Sequence, residues 1–202
     1  MTQSKGLAGL ILAFYLVVRF VFGQELDLLG SHASYVFEAV FVGAVMIFYR
    51  ARVKVAFGAL KSVIPDCLLA LPLGFGVFKL AGVLGYGNPF DLTDKETLLF
   101  LLLLGPLLEE AIFRQALWYP LETLLPKPLV TVALTSLIFA FGHFHAYFSA
   151  QAEFHHFIIY QTIYALVIGV WWGYRYSTTR SLAVPVTLHL LFNLGYYLGF
   201  AL

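Results

Sequence analysis

The stretch "LLLLGPLLEEAIFRQALWYP", residues 101–120, places two carboxylates and a guanidinium in an otherwise apolar run. A lone charge at the middle of a membrane-crossing helix costs about 2.5–3.5 kcal/mol on insertion scales, so such residues pair and face the protein interior. In an α-helix Glu110 and Arg114 stand at i, i+4 and can form an ion pair on one face. Glu109 lies about 100° round the helix from Glu110 and needs another partner. Two further apolar runs supply candidates. "FAFGHFH" carries Phe139, His143 and His145, and "VTLHLLFNLGYY" carries His189 and Asn193, again at i, i+4. Polar groups on separate hydrophobic helices are satisfied most cheaply by one another. Glu109, His143, His189 and Asn193 are therefore expected to converge on one wet cavity inside a bundle.

A carboxylate and an imidazole together can hold a water and take its proton. Arg114 pairs the Glu110 charge and leaves Glu109 in a different setting, and neighbouring acids in unlike settings can take different roles. Asn and His donors opposite suit the oxygen of a tetrahedral intermediate. No serine joins the constellation and the single cysteine, Cys67, is elsewhere, so water is the simplest nucleophile for a hydrolytic reading. Gly105 and Pro106 precede Glu109 by one turn, where proline removes a backbone donor and predicts a kink that could open a path to the site. Pro185 stands in the same relation to His189.

The elements that must position these groups are membrane helices. The 202 residues are 61% hydrophobic and 11% charged, with mean hydropathy +0.87, whereas soluble domains average about a quarter charged. A formal net charge of +1 offers no basic face for nucleic acid. Cys67 alone excludes an internal disulfide and a Cys-rich zinc cage, and reads as a small core residue. About seven apolar segments are long enough to cross a bilayer, near 6–23, 34–50, 63–86, 96–119, 128–149, 155–175 and 181–201. The first follows Lys5 and exceeds the roughly 7–15 residues of a signal-peptide core, so it reads as a retained span. "RARVKVAFGALK" suits a short interfacial helix.

Arg50, Arg52, Lys54, Lys61, Lys127, Arg175 and Arg180 fall on alternate loops, and the opposite loops carry only Lys95. By the positive-inside rule this predicts an all-α polytopic bundle of about seven spans, N-terminus cytoplasmic and C-terminus external. No repeat or linker appears, so residues 1–202 read as one domain. Trp118, Tyr119, Trp171, Trp172 and Tyr174 suit an aromatic belt, and His155 and His156 an interface. Arg19 would snorkel outward. By helical rise, Glu109 and His189 fall in the cytoplasmic half and His143 nearer the outer end. The fifth helix must then start later than Pro128, tilt, or break near Gly142.

"EEAIFR" (Glu109 to Arg114), "FAFGH" (Phe139 to His143) and "HLLFN" (His189 to Asn193) together resemble the CPBP family (CAAX proteases and bacteriocin-processing enzymes), also called Abi, of glutamic-type intramembrane endopeptidases. Its pattern is E-E-x-x-x-R, F-x-x-x-H and H-x-x-x-N or D on separate helices; here the motifs lie within 105–201. The resemblance implies that Glu109 and His143 activate water and that His189 and Asn193 line the oxyanion site. It implies that Glu110 and Arg114 brace the catalytic helix and that Phe139 packs beside the site. No cofactor or metal is implied, although Glu with two His resembles a zinc set and a zinc-dependent membrane protease is the alternative chemistry. The implied partners are membrane lipid and a membrane-anchored protein or peptide, cut near its C-terminal tail by CAAX-type or sorting-signal processing. The chain's shortness looks like a prokaryotic member in the cytoplasmic membrane. Two other classes compete: a non-catalytic immunity or partner-binding protein, and a proton-relaying transporter, against which stands the lack of a two-fold repeat.

Overall fold

The computed structural model describes residues 4–30, 32–48 and 54–202, and among them every regular element is helical. The chain begins with α1 (Lys5–Phe20), α2 (Gly23–Leu28) and α3 (Ala33–Phe48). A 3₁₀ turn (Phe57–Val63) leads into α4 (Ile64–Val83). Then come α5 (Lys95–Leu99), α6 (Gly105–Ala111) and α7 (Trp118–Leu124), joined by π-helical turns at Phe100–Leu104 and Ile112–Ala116. Three long helices follow: α8 (Pro128–His145), α9 (His155–Thr179) and α10 (Ala183–Ala201).

Helix ends follow local chemistry. The Ser4 hydroxyl accepts from the Leu7 amide at 3.1 Å and caps α1, and Asp94 accepts from the Thr97 amide at 2.7 Å and caps α5. Pro65 and Pro128 stand in the first turns of α4 and α8, where a missing N–H costs nothing. Arg180 ends α9 at φ 52°, in the left-handed region, and its guanidinium grips Glu122 at 2.9 and 2.5 Å.

Among the described residues four helical stretches are long and apolar enough to cross a membrane: Phe57–Val83, Pro128–Phe148, Ala152–Thr179 and Ala183–Ala201. The stretch Ala33–Ile47 is apolar but shorter, and α1 has 16 residues. The expected fourth span, 96–119, is instead a broken helix carrying Glu109, Glu110 and Arg114. The expected interfacial helix is reduced to the 3₁₀ turn, and Arg50 and Arg52 lie outside the described residues. Outward side chains such as Val36, Val40, Leu68, Ile163 and Val167 are exposed apolar groups, as a lipid-facing surface requires.

Loop contacts sort the two ends of the bundle. The Leu182 amide donates to the Lys54 carbonyl, Ser181 bonds Ala56, and Arg180 pairs with Glu122. Lys54, Lys61, Lys127, Arg175 and Arg180 thus share one end. At the other end His145 bonds the Phe20 carbonyl at 3.2 Å, His155 stacks on Tyr147 and His156 on Tyr86. The alternation of basic loops read from the sequence is therefore an alternation in space.

Backbones approach closely where glycines allow it. A Cβ on Gly74 would overlap the Phe192 carbonyl oxygen, and one on Gly195 the Leu71 carbonyl oxygen, so α4 and α10 meet through small residues. Gly195→Ala is expected to lower the melting temperature in detergent sharply. Gly43→Ala, with nothing within 4 Å of the added carbon, is expected to leave it unchanged or raise it slightly. Equal melting of the two variants would contradict this packing.

Candidate active site

The two π turns reshape the helix that carries the acids. The Gly105 amide reaches back to the Phe100 carbonyl and the Leu117 amide to the Ile112 carbonyl at 2.8 Å, each five residues earlier. In that register Pro106 would serve the Leu101 carbonyl, but it has no N–H. The Asn193 Nδ2 supplies the missing donor, 2.7 Å from the Leu101 oxygen. The kink expected at Gly105–Pro106 is therefore a π turn, held open by a side chain from α10. Asn193 has one amide hydrogen committed here and one remaining.

If Asn193 satisfies a carbonyl that Pro106 strands, the two positions are energetically coupled. Asn193→Ala is expected to cost about 1–3 kcal/mol through the stranded acceptor. Pro106→Ala restores a backbone donor to this turn. The double variant should cost less than the sum of the single ones, and a thermal-melt double-mutant cycle with zero coupling would refute the arrangement.

Glu110 and Arg114 are both fully buried. Arg114 donates from Nε to Glu110 Oε2 at 2.9 Å, from Nη1 to the Thr135 hydroxyl at 3.3 Å and from Nη2 to the Gly169 carbonyl at 3.2 Å. The i, i+4 pair read from the sequence is present, and it ties α6 to α8 and α9. A Cβ on Gly173 would stand 3.1 Å from Arg114 Nη1, so glycine there makes room for the guanidinium. The other Glu110 oxygen lies 3.1 Å from His189 Nδ1. A carboxylate only accepts, so this nitrogen carries the hydrogen. His189 Nε2 then points at Glu109 Oε2, 3.7 Å away.

His143 Nδ1 lies 3.0 Å from the Phe139 carbonyl. A carbonyl can only accept, so Nδ1 is protonated and Nε2 of the neutral ring keeps its lone pair. Phe139 is buried and stands edge-on to His143, with ring centres 4.7 Å apart. α8 runs unbroken from Pro128 through Gly142, so neither a late start nor a break explains the position of His143. The π turns offer another reason, since wider turns advance the acid-bearing helix less per residue.

Glu109, His143, His189 and Asn193 all line one cavity of about 740 Å³. Glu109 keeps 34% of its side chain accessible, while Glu110 keeps 1%. The adjacent acids thus occupy unlike settings: one reaches the cavity and one is locked behind it. Among the described residues no three His, Cys, Asp or Glu side chains are grouped so as to hold a metal ion.

Several residues that shape this site were misread from sequence. Trp118 and Trp172 are fully buried and belong to no belt. Trp172 packs against the His189 ring with centres 4.4 Å apart, and Trp171 donates to Asp66 at 2.7 Å. A Trp-Trp pair preceding a glycine looks the same from hydropathy whether it faces lipid or a neighbouring helix. Arg19 does not snorkel outward. It turns into the cavity and pairs with Glu38 of α3 at 3.1 Å, and Tyr15 reaches the same carboxylate oxygen at 3.5 Å. The unanswered cation in the first apolar segment and the acid in the second were the available signal. Cys67 is half-buried and free.

No curated protein and no solved structure matches the chain. Residues 96–195 match the family model described as Rce1-like, type II CAAX prenyl endopeptidase. That match begins in α5, ends in α10, and contains Glu109, Glu110, Arg114, Phe139, His143, His189 and Asn193. All three motifs meet at one buried polar site inside the matched segment, so this multi-pass membrane protein is similar, from α5 to α10, to the Rce1-like family of CAAX prenyl endopeptidases.

Proposed function

We propose that the chain is a glutamic-type intramembrane endopeptidase that hydrolyses a peptide bond near the C-terminal tail of a membrane-anchored protein or peptide. The observation that carries this reading is the shared cavity. It receives an accessible carboxylate from α6, an imidazole with a free Nε2 from α8, and His189 and Asn193 from α10.

In the proposed reaction a water lies between Glu109 and His143. Glu109 takes its proton as the oxygen attacks the scissile carbonyl carbon, while His143 Nε2 accepts a hydrogen bond from the same water. The carbonyl oxygen becomes an oxyanion. His189 Nε2–H and the remaining Asn193 amide hydrogen stabilise it. Because Nδ1–H is already held by Glu110, His189 donates from Nε2 only as the imidazolium. Its charge and that of Arg114 then balance the two carboxylates. Collapse of the intermediate breaks the C–N bond, and Glu109 returns its proton to the leaving amine. The products are a new carboxyl terminus and a free amine.

The placement belongs to the same proposal. The chain is one domain with about seven spans, the basic end of the bundle on the cytoplasmic side of a prokaryotic cell membrane, the N-terminus inside and the C-terminus outside. The zinc-dependent alternative would need a ligand set that the described side chains do not preform.

The test is a labelled tail peptide incubated with purified wild type and His143→Ala in lipid nanodiscs, with products read by mass spectrometry. Wild type is expected to cut, with or without a chelator. His143→Ala is expected to be slower by about 10²–10⁴-fold, as loss of a proton-transfer partner predicts. Equal cutting by both ends the catalytic assignment. No cutting of any tail peptide favours the partner-binding reading, and loss on chelation favours zinc.

A further inference from the structure

We propose that the cavity is entered from the non-cytoplasmic side of the membrane, so that the substrate is a polypeptide segment already carried across the bilayer rather than a tail displayed in the cytoplasm. The inference rests on the endopeptidase reading for the cut and on loop charge for the two sides. It adds the face from which the reactive groups are reached, and with it the class of chain that can reach them.

The bundle has a basic end and an opposite end. α1 runs from Lys5 to Phe20, and the Phe20 carbonyl meets His145 at the close of α8. Lys5 therefore stands at the end that holds Lys54, Lys61, Lys127, Arg175 and Arg180. Arg50 and Arg52 belong by sequence to the same loop as Lys54. The opposite end has Lys79, near the close of α4, and Lys95. Loops rich in lysine and arginine stay in the cytoplasm during insertion, and this excess sets the orientation.

The cavity opens at the opposite end. Phe90 and Asp94 from the α4–α5 loop, Glu96 from the first turn of α5, His32 from just before α3 and Ala146 from just past α8 frame its mouth. Side-chain accessibility falls steadily inward, from 60% at Glu96 to 34% at Glu109, 6% at His189 and 1% at Glu110. Glu109 stands 13 residues beyond Glu96, about 20 Å at helical rise. A chain entering at the mouth needs about six extended residues to bring a peptide bond to that carboxylate.

The way from the basic end is closed. Past the acids the same broken helix carries Arg114, Gln115 and Trp118, all buried. Gln115 donates to the Tyr176 hydroxyl at 2.9 Å, and Trp118 stands edge-on to the Tyr176 ring with centres 4.8 Å apart. Trp172, one turn earlier on α9, covers His189. Among the described residues no cation of the basic end lines the cavity. A layer packed to interior density leaves no room for a polypeptide, and a bare backbone does not cross hydrocarbon to find a side entrance. A tail presented in the cytoplasm meets this layer, whereas a translocated segment meets the open mouth.

The experiment uses the full chain in sealed right-side-out and inverted vesicles of a bacterial inner membrane. A charged, membrane-impermeant labelled tail peptide, long enough to reach from the mouth to Glu109, is added outside. Right-side-out vesicles are expected to cut it, and inverted ones to do so only after detergent opens them. The side of the mouth is read independently of activity with an impermeant maleimide on a Cys67→Ser background. Glu96→Cys is expected to label in right-side-out vesicles and Thr178→Cys, near the basic end of α9, in inverted ones. The proposal is overturned if Glu96→Cys labels from the cytoplasmic face, if inverted vesicles cut as fast as right-side-out ones, or if both cut only after detergent. If opened membranes cut no tail peptide, the endopeptidase reading fails, and the labelling still decides which side the cavity faces.

Discussion

Glu109→Gln is expected to lower peptide cleavage by about 10²–10⁴-fold, the range for loss of a general base, with no change in the melting temperature beyond experimental error. The side chain keeps its shape, so packing is preserved. Among the described residues its ion-pair contact is the 3.7 Å approach to His189, and a third of it faces the cavity. What the amide cannot do is take a proton from water. Activity assays and thermal melts on the same purified sample separate the two effects. A Glu109→Gln variant that cuts at the wild-type rate would transfer the base to another group. One that melts early would mean that the acid is part of the scaffold.

Arg114→Met is expected to be the most damaging single change to stability, about 3–5 kcal/mol, because it strands the Glu110 carboxylate in a fully buried position. It also leaves the Gly169 carbonyl and the Thr135 hydroxyl without the guanidinium that joins α6, α8 and α9. Replacing both partners removes both buried charges, so Glu110→Met with Arg114→Met should recover most of the lost stability. It should not recover activity, since His189 Nδ1 would have lost the carboxylate 3.1 Å away that orients it. Recovery of both would make the pair purely structural. Recovery of neither would mean that the two residues serve the fold in ways other than through each other.

Much of the site was legible because ionisable groups in an apolar helix have few places to go. Glu110 and Arg114 could be paired from spacing alone, and their distance of 2.9 Å agrees. The convergence of His143, His189 and Asn193 followed from the cost of leaving each in lipid. Two details were not legible. Asn193 reads as an oxyanion donor from its i, i+4 relation to His189, yet one of its hydrogens goes to a backbone carbonyl on another helix. That carbonyl is stranded by a proline 87 positions earlier in the chain than Asn193, a relation that no local pattern encodes. Arg19 and Glu38 sit on different segments and each looks like an isolated blemish in a hydrophobic run. Only their meeting at 3.1 Å makes them a pair and a wall of the cavity.

Composition and spacing alone determined that the chain is helical, that it lives in lipid, that its basic loops gather at one end, and which acids and imidazoles must be buried together. These are consequences of desolvation, which acts on residue type and period whatever the topology. The tertiary structure decided which nitrogen of each histidine is free, which acid reaches the cavity, and where α1 contributes to it. Those depend on directions and on distances of a few ångströms between side chains from different helices, and hydrogen bonding is sensitive to both in a way that hydropathy is not.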